Sequence, residues 1–364
     1  MVEETSLLEY LQGTHTTFGA IKMLFWGAVS FVVAFALTPL LTRFLYKHKL
    51  WKKTVRQKSI DGAEMTVFKK FHGDSETKVP RFGGLLIWII PPVLALVFFF
   101  LAQINGPVLE KLNFLSRSQT WLPLFAMVAA SLVGLIDDML QVRGKGKYVG
   151  GGLSLKYRLL SVFLIGLVGG WWFYSKLGWT SVHITGSMDL VIGAWYIPFF
   201  VFVMMAVYSG GVIDGIDGLA GGSFSTIFGA YGIIALFRGQ MDLAAFCAVV
   251  AGATLAFLWF NIPPARFYMG ESGTMGLCTA LTVVAFLTDS VLVLPIIGLL
   301  LVVESGSVIL QQLSKKFRKK KLFLAAPIHY HFEAKGWPPY KVTMRFWVIG
   351  AIAAMLGIAI RLLG

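Results

Sequence analysis

Residues Val207–Gly222 read VYSGGVIDGIDGLAGG, in which Asp214 and Asp217 lie three positions apart among six glycines. Long apolar stretches flank this segment, Leu190–Val207 before it and Leu219–Phe237 after it. Carboxylates beside membrane-spanning helices are costly and are therefore candidates for function. The pattern predicts a membrane protein whose other segments position this loop at one face of the bilayer.

The composition agrees with this prediction. Of the 364 residues, 57% are hydrophobic and 14% are charged, whereas roughly a quarter of an ordinary soluble domain is charged. It disfavours a soluble protein with two domains and predicts one integral membrane domain over residues 1–364. The formal net charge of +14 is typical of cytoplasmic loops rich in Lys and Arg, so we expect no nucleic-acid partner. Such loops also attract anionic membrane lipids or phosphorylated substrates.

Neither the cysteines nor the N-terminus changes this interpretation. Cys247 and Cys278 lie in apolar runs and are predicted to be small core residues rather than a disulfide or a metal pair. The N-terminal segment lacks a basic region followed at once by an apolar core, so we do not expect a cleaved signal peptide.

About ten segments are apolar over the length that a helix needs to cross a bilayer. They are Ile21–Tyr46, Phe82–Ala102, Thr120–Ile136, Tyr157–Tyr174, Leu190–Val207, Leu219–Phe237, Leu243–Phe260, Thr274–Thr288, Val291–Leu313 and Phe346–Leu363. The eighth is the shortest of them. The alternation that a membrane β-barrel requires is absent. The predicted fold class is therefore an all-α polytopic membrane protein.

The distribution of cations predicts the orientation. The loops Lys47–Arg81 and Lys315–Arg345 are densely basic, and a third basic loop precedes the fourth span. The positive-inside rule places these loops in the cytoplasm and both termini outside. The run KKFRKKK at Lys315–Lys321 is explained most simply as a topology anchor, with phosphate or lipid-head contact as the alternative.

With this topology, four polar clusters that are distant in sequence share the cytoplasmic face. They are Asp137–Asp138, Asp214 with Asp217, Glu271, and His329 with His331. Transporters usually place polar groups near the middle of the membrane, whereas the predicted spans here are nearly free of charge. The arrangement favours chemistry on a water-borne substrate at a cytoplasmic active site over transport.

Asp137 and Asp138 end the third predicted span in SLVGLIDDML. Adjacent carboxylates repel unless a cation or a proton resolves the conflict, and Mg²⁺ binds one or two carboxylates together with substrate phosphate oxygens. The simpler alternative is a solvated helix end. The DGxDG spacing lacks the alternating ligands and the distant Glu of a calcium-binding EF-hand, and its glycines permit close backbone approach to a ligand.

Two further segments offer polar groups. In YMGESGT, Tyr268–Thr274, Glu271 lies between glycines as in a small phosphate or metal loop, and no strand is present to make a nucleophile elbow. In PIHYHFE, His329 and His331 are two positions apart and cannot share a helix face, but in a loop both can face an anion. A zinc site would need additional His or Cys ligands that are absent.

Cations precede two of the predicted spans. Lys78 lies in KVPRFGG before the second span, and Lys156 and Arg158 lie in SLKYR before the fourth. Substrate contact is one interpretation, although anchoring by the positive-inside rule explains these residues equally well.

Taken together and in order, these motifs resemble the polyprenyl-phosphate N-acetylhexosamine-1-phosphate transferase superfamily. The similarity covers most of the chain: PRFGG, the DD pair, SLK, DGIDGLA, LWFN, MGESGT and APIHYHFE. The HYHFE segment is similar to the histidine loop of the muramoyl-pentapeptide branch (MraY) rather than the GlcNAc-phosphate branch. The resemblance implies transfer of phospho-MurNAc-pentapeptide from UDP-MurNAc-pentapeptide to undecaprenyl phosphate, with Mg²⁺ as cofactor, in the bacterial inner (plasma) membrane. A homodimer is compatible with it.

The resemblance also implies roles for individual residues. Those with an implied catalytic role are Asp137, Asp138, Asp214, His329 and His331. Those implied to bind substrate are Lys78, Lys156, Arg158, Gly215, Ile216, Asp217, Asn261 and Tyr268, with Gly215, Ile216 and Asp217 in the uridine pocket and Tyr268 stacked on uracil. The implied metal ligands are Glu271 and Asp214.

The chain departs from the family pattern at several of its motifs. Glu271 occupies a position at which the family has Asp, Tyr208 and Gly211 replace two asparagines, Tyr330 replaces the middle histidine, and Gln141 replaces a lysine. These departures suggest a divergent member. They keep open a UDP-GlcNAc-dependent transferase and a catalytically silent homologue, beside a transporter or flippase of another class.

Overall fold

The computed structural model describes residues 2–53, 76–104, 106–145, 151–186 and 188–364. Parts of two basic loops, including Lys147, therefore lie outside the described residues. The helices are α1 (Val2–Lys47), α2 (Gly84–Ile104), α3 (Pro107–Leu112), α4 (Trp121–Arg143), α5 (Leu155–Ser175), α6 (Tyr196–Ser209), α7 (Leu219–Phe237), α8 (Met241–Asn261), α9 (Gly270–Leu287), α10 (Leu294–Ile297), α11 (Leu299–Arg318), α12 (Ile328–Ala334) and α13 (Pro339–Leu363).

Within these residues, nine helices are long and apolar enough to cross a membrane, and a bent pair makes a tenth if it is one span. The prediction of an all-α polytopic membrane protein with about ten spans is confirmed. The predicted ninth span is not continuous, because Val291–Ile297 and Leu299–Arg318 meet at an angle of 79°. Gly298 lies at the bend and Pro295 lies in the first turn of α10, and both residue types interrupt regular helices.

Two span boundaries differ from the prediction in a way that matters for the site. The third span was expected to end at Ile136, but α4 continues to Arg143. Asp137 and Asp138 are therefore inside a helix and fully buried, and the interpretation as a solvated helix end is wrong. The eighth span begins at Gly270 rather than Thr274. Glu271 consequently belongs to the first turn of α9 rather than to a loop.

Two short strands, β1 (Ser181–Thr185) and β2 (Met188–Val191), form an antiparallel pair between α5 and α6. Val182 pairs with Leu190 in this hairpin. The fifth span, predicted to begin at Leu190, therefore starts only after β2, where a 3₁₀ turn at Gly193–Trp195 leads into α6.

Helix α9 lies at the centre of the bundle and is almost wholly buried, whereas α1 and α13 are mostly exposed and face the surroundings of the bundle. Helix α4 packs along α9, and α8 packs between α1 and α7. At Gly134 the backbone of α4 comes so close to α9 that a methyl group would overlap with the carbonyl group of Glu271. Only glycine permits this approach.

A 3₁₀ helix at Gly210–Ile213 connects α6 to the loop that carries Asp214 and Asp217. It packs against α11, and a Cβ atom at Gly210 would be 2.7 Å from the Cβ atom of Leu301. The 3₁₀ helix that leads into the loop is thus packed on α11. It lies beside the first turn of α9, because the backbone N–H of Gly270 hydrogen-bonds to Asp214.

Candidate active site

The carboxylate of Asp138 caps the N-terminus of α9. Its Oδ1 accepts a hydrogen bond from the backbone N–H of Glu271 at 3.0 Å, and its Oδ2 accepts one from Ser272 at 2.9 Å. The first N–H groups of a helix have no partner within the helix, and the helix dipole favours an anion there. Asp138 therefore holds Glu271 in place while its own charge is stabilised.

Arg81 lies on the other side of Asp138, with its Nε 3.6 Å from Asp138 Oδ1. It reaches this position from the segment before α2, which is anchored to α9 by hydrogen bonds from Gly83 N–H to the Tyr268 carbonyl and from Gly84 N–H to the Met269 carbonyl. The arginine thus approaches the acidic cluster from an element separate from α4 and α9.

Asp137 makes a different set of contacts. Its Oδ2 accepts a hydrogen bond from the side-chain amide of Gln141 at 2.5 Å, and its Oδ1 accepts one from the backbone N–H of Leu153 at 2.5 Å. The Nε of Arg158 is 3.9 Å from the same Oδ1. The two neighbouring aspartates therefore point to different partners, which separates their charges.

Glu271 forms an ion pair with Arg158 through Oε1 and Nη1. Its second oxygen, Oε2, is 3.4 Å from the hydroxyl of Tyr208, a long hydrogen bond. Arg158 belongs to α5 and Tyr208 to α6, so Glu271 connects three helices. Both partners are buried, whereas the Glu271 side chain keeps some exposure.

Asp214 follows the 3₁₀ helix and is partly exposed. Burial of its carboxyl group raises its pKa to about 6, against the attraction of Arg81, and the negative charge of Asp138 acts in the same direction as burial. The pKa of this carboxyl group therefore lies much nearer to neutral pH than that of an ordinary surface aspartate.

The loop after Asp214 is held by side chains from two other segments. The hydroxyl of Tyr330 donates to the Gly215 carbonyl at 2.9 Å, and Asn261 accepts a hydrogen bond from the Gly218 N–H at 2.9 Å through Oδ1. Asn261 also donates through its amide to the Phe267 carbonyl at 2.9 Å. Both polar atoms of Asn261 are thus used to fix the backbone around the loop.

Helix α13 holds the second half of this loop. Thr343 donates to the Asp217 carbonyl at 3.0 Å, and Trp347 donates through Nε1 to the Gly218 carbonyl at 3.2 Å. The Asp217 side chain accepts a hydrogen bond from the backbone N–H of Ala265 at 3.1 Å. The loop is thus held by α13 as well as by Asn261 of α8 and by Ala265 after that helix.

The two histidines do not face one ligand together. His329 and His331 lie on the short helix α12 rather than in a loop, so their side chains point in different directions. His329 is fully buried and its Nδ1 is 2.9 Å from Glu304 Oε2. His331 is partly exposed and its Nδ1 accepts a hydrogen bond from the Leu324 N–H at 3.1 Å. Burial and the charge of Lys335 lower the pKa of His331.

The remaining predicted residues lie around this cluster with different exposure. Lys78 and Lys156 are exposed, Ile216 is buried under the loop, and Tyr268 is partly buried. The structure therefore brings the aspartates, Glu271 and Arg158 together, and leaves the two lysines at the rim. Their roles in binding and catalysis stay predictions.

Sequence comparisons add a second line of evidence. Residues 120–289 match the family model described as "Glycosyl transferase family 4". Proteins named phospho-N-acetylmuramoyl-pentapeptide-transferase are similar over most of the chain. The one from Geobacillus sp. (strain WCH70) is 33% identical over 91% of this chain and 95% of its own length. The one from Chloroflexus aurantiacus (strain ATCC 29366 / DSM 635 / J-10-fl) is 32% identical over 94% and 90%.

A third relative, from Anoxybacillus flavithermus (strain DSM 21510 / WK1), is 32% identical over 93% of this chain and 97% of its own length. The chain belongs to the phospho-N-acetylmuramoyl-pentapeptide transferase family. The resemblance inferred from the order of the motifs is thereby confirmed.

Three departures from the pattern of phospho-N-acetylmuramoyl-pentapeptide transferases are in contact with the site. Tyr208 meets Glu271, Gln141 donates to Asp137, and Tyr330 donates to the carbonyl of Gly215. Each substituted side chain thus takes part in holding a carboxylate or the loop. As a result, Glu271, Asp137 and the Gly215 carbonyl each have a hydrogen-bond partner from one of the substituted side chains.

Within the described parts of the chain, four carboxylates, those of Asp137, Asp138, Asp214 and Glu271, face two guanidinium groups, those of Arg81 and Arg158. The excess of negative charge and the all-oxygen donor set suit a hard divalent cation. Among the described residues, no group of three acidic, histidine or cysteine side chains forms a ready metal cage. Asp137 and Asp138 hold both of their oxygens in hydrogen bonds of 3.0 Å or less, whereas Oε2 of Glu271 has only the 3.4 Å contact with Tyr208 and Asp214 accepts a bond from Gly270 N–H, so Glu271 and Asp214 are the better donors.

Sequence reasoning missed two residues, Arg81 and Glu304. Arg81 lies three positions after Lys78 in the motif KVPRFGG, but anchoring by the positive-inside rule explained both cations equally well. Glu304 is an acid in the apolar run LLLVVESG. An acid inside a predicted span is itself a signal of function, and that signal could have identified it.

Proposed function

We propose that this protein transfers phospho-MurNAc-pentapeptide from UDP-MurNAc-pentapeptide to undecaprenyl phosphate, forming lipid I and UMP for peptidoglycan synthesis. The observation that carries the proposal is the paired carboxylate and guanidinium cluster, assembled from α4, α5, α9 and two connecting segments. Phosphoryl transfer depends chiefly on positioning and charge stabilisation, and this cluster provides both. The names of the relatives supply the substrate.

In this reaction, a phosphate oxygen of the lipid attacks the phosphorus next to the sugar, and the bond from that phosphorus to the UMP oxygen breaks. Arg81 and Arg158 are the residues suited to bind the diphosphate, because a guanidinium group binds phosphate with two parallel hydrogen bonds. Asp138 positions the first turn of α9, and Asp137 positions Arg158. Lys78 and Lys156 attract the anionic substrates from the rim.

Mg²⁺ is the proposed cofactor, held by Glu271 and Asp214 together with substrate phosphate oxygens. A divalent ion supplies Lewis-acid stabilisation of phosphate charge. The excess of carboxylates over guanidinium groups supports the proposal, as does the usual habit of Mg²⁺ to use only one or two carboxylates beside a substrate.

The loop Asp214–Gly218 is proposed as one wall of the nucleotide pocket. Gly215, Ile216 and Asp217 line it, Asn261 fixes its backbone, and Tyr268 offers an aromatic face for uracil. His329 lies under this loop, and His331 is expected to contact substrate from the other side of α12. The pocket that these residues form or support is proposed to receive a substrate that enters from water.

We further propose that the protein lies in the bacterial inner (plasma) membrane, with the site on the cytoplasmic side and both termini outside; the multi-pass fold and the lipid acceptor support this proposal. In that bilayer, membrane lipids surround the peripheral helices. A homodimer is part of the proposal, and its test is the molecular mass of the purified protein in lipid nanodiscs.

The deciding experiment is UMP release by purified protein in Mg²⁺ with undecaprenyl phosphate and radiolabelled UDP-MurNAc-pentapeptide or UDP-GlcNAc. We expect lipid-linked MurNAc-pentapeptide and UMP in equal amounts. Lipid-linked GlcNAc without the MurNAc product would assign the other branch. Binding of UDP-MurNAc-pentapeptide without any UMP release would instead make the protein a silent homologue.

A further inference from the structure

Glu304 lies in the second turn of α11 and is fully buried. An acidic side chain inside a membrane-spanning helix is costly and persists only with a partner. Oε2 of its carboxylate is hydrogen-bonded to Nδ1 of His329, at 2.9 Å, and His329 is also fully buried. The two residues are 25 positions apart, so this pair ties α12 to α11.

The contact determines how the imidazole ring is oriented. With Nδ1 bound to Glu304 Oε2, the other ring nitrogen, Nε2, is directed toward the backbone of Gly215. In the part of the chain that the structure describes, Nε2 of His329 and Oε1 of Glu304 are buried without a hydrogen-bond partner. A carboxylate that holds one nitrogen of a histidine fixes which nitrogen faces a site.

The backbone of Gly215 packs against the His329 ring. A methyl group at Gly215 would overlap with Nε2 of His329, so the loop backbone rests directly on the ring. The adjacent Tyr330 ring meets the His329 ring edge to face, with centroids 4.1 Å apart, and its hydroxyl holds the Gly215 carbonyl. The Glu304–His329 pair is thus the base on which the loop between Asp214 and Asp217 lies.

We propose that Glu304 is a positioning residue that acts through His329: by holding Nδ1, it fixes the ring beneath Gly215 and so sets the position of the loop that binds the nucleotide. The inference rests on the proposed function for its substrate. It adds a residue outside the carboxylate cluster and explains why a span carries a buried acid.

A purely structural role makes a different prediction. If Glu304 merely stabilised the bundle, its loss would lower the amount of active enzyme, which reduces the maximal rate and leaves both KM values unchanged. If it positions the loop, its loss weakens binding of the nucleotide substrate and spares the lipid substrate. The two roles therefore separate in steady-state kinetics.

The test is Glu304→Gln, which keeps the size and an acceptor for Nδ1–H but removes the charge. We expect the KM for UDP-MurNAc-pentapeptide to rise by about tenfold and the KM for undecaprenyl phosphate to stay within about twofold. The matched control is Asp242→Asn, which removes the charge from another ion pair, with Lys22 at 2.7 Å. Asp242 begins α8 and lies about 30 Å along that helix from Asn261, so this control should change neither KM.

A second variant tests whether the effect passes through His329. His329→Gln should raise the same KM, and Glu304→Gln in that background should add little, because residues that act as one unit are not additive. Full additivity of the two changes in free energy would overturn the proposal. Unchanged KM with a lower maximal rate for Glu304→Gln would do so as well. If Glu304→Gln yields no folded protein, Glu304→Asp takes its place in the same cycle.

A measurement without turnover separates this inference from the proposed function. The amides of Asp214, Gly218 and Leu219 are hydrogen-bonded in the structure. Hydrogen exchange followed by mass spectrometry should show faster exchange of peptides covering residues 210–219 in Glu304→Gln and not in Asp242→Asn. Unchanged exchange there would refute the positioning role. A wild-type protein that never releases UMP would refute only the proposed function.

Discussion

Arg158 and Glu271 form a largely buried ion pair that connects α5 to the first turn of α9. Arg158 also lies 3.9 Å from Asp137, so one guanidinium group serves two carboxylates. In the proposed function, a diphosphate bound by Arg158 would compete with Glu271 for this cation and would release Glu271 to the proposed metal ion. The pair would thereby couple substrate binding to the carboxylate proposed to hold the metal.

Replacement of Glu271 by Gln should nearly abolish the reaction. Glutamine retains one acceptor oxygen for Arg158 and presents an amide N–H to the Tyr208 hydroxyl oxygen, but it lacks the charge that a divalent cation needs. We expect UMP release to fall by about two orders of magnitude, equivalent to about 2.7 kcal/mol of transition-state stabilisation. Glu110→Gln, an exposed acid of α3, is the control and should be unaffected. A near-normal rate for Glu271→Gln, or for the harsher Glu271→Ala, would remove Glu271 from the metal site.

Asp138→Asn should reduce activity more than protein yield. Asparagine keeps the shape of the cap and one acceptor for the two N–H groups at the start of α9, but the unmet donor costs about 1–3 kcal/mol. We expect a measurable fall in the melting temperature and a larger fall in UMP release per milligram of monodisperse protein. Asp189→Asn, at a more exposed aspartate of β2, is the comparison. A collapse in yield with normal specific activity would make Asp138 structural only.

Arg81 and Lys78 provide a matched pair of cations from one segment. Arg81 is beside Asp138 at 3.6 Å, whereas Lys78 is exposed. Arg81→Gln should lower turnover by about 100-fold, as loss of one preorganised donor to a developing charge does elsewhere. Lys78→Gln should act mainly at low ionic strength, where it should raise KM modestly. This effect should shrink as the ionic strength increases, because salt screens an exposed charge. Equal effects of both variants on kcat would refute the distinction.

Asp214 should make stability depend on pH in a specific direction. Its carboxyl group has a pKa of about 6 when folded, against an ordinary value of 3.8. Between these values the folded state holds a proton that the unfolded state has released, so stability falls as pH rises through this window. In EDTA, we compare the melting temperature of the wild type with that of Asp214→Asn. The difference should decline from about pH 4, near the unfolded pKa, to about pH 6, near the folded pKa, and should then level off.

The direction of that trend provides the control. Magnesium binding favours the ionised carboxylate, so Mg²⁺ should flatten the difference between wild type and Asp214→Asn. A difference that rises with pH would show that the carboxyl group is stabilised in its charged form when folded. That result would contradict burial as the main cause of the shift.

Gly215→Ala should disturb the nucleotide loop strongly. A methyl group at this position overlaps with His329 and lies 3.1 Å from the Tyr330 hydroxyl. We expect the melting temperature to fall and the KM for the UDP substrate to rise. Gly229→Ala in α7 is the control, because no atom lies within 4 Å of its added Cβ. Equal behaviour of the two variants would show that the loop does not rest on His329.

Much of the fold was predictable because lipid imposes a simple rule on sequence. A helix in a bilayer must be apolar over its whole length, and the ten apolar segments of the sequence correspond, among the described residues, to nine long helices and one bent pair. The break at Gly298 was not predicted, because the apolar run Val291–Leu313 continues through it without a polar signal. Pro295 and Gly298 were the available clues.

Part of the membership of the candidate site was predictable from the sequence, but the pairing of its side chains was not. The clusters containing Asp137, Asp214 and Glu271 were expected at one face, and they are neighbours in the structure. Sequence could not show that Asp138 caps α9, since that bond spans 133 residues. Nor could it show that His329 turns away from His331 toward Glu304, because both histidines were assigned to a loop rather than to α12.

The contact at Gly134 has a mechanical consequence. Since α4 and α9 touch backbone to backbone there, and Asp138 binds the start of α9, the two helices behave as a single stiff unit. Asp137 and Asp138 on α4 and Glu271 on α9 are therefore held at separations set by the contact between the two helices. A change in the spacing of these acids would require α4 and α9 to part at Gly134, whereas Arg81 and the loop of Asp214 reach the same cluster from segments joined to it by hydrogen bonds.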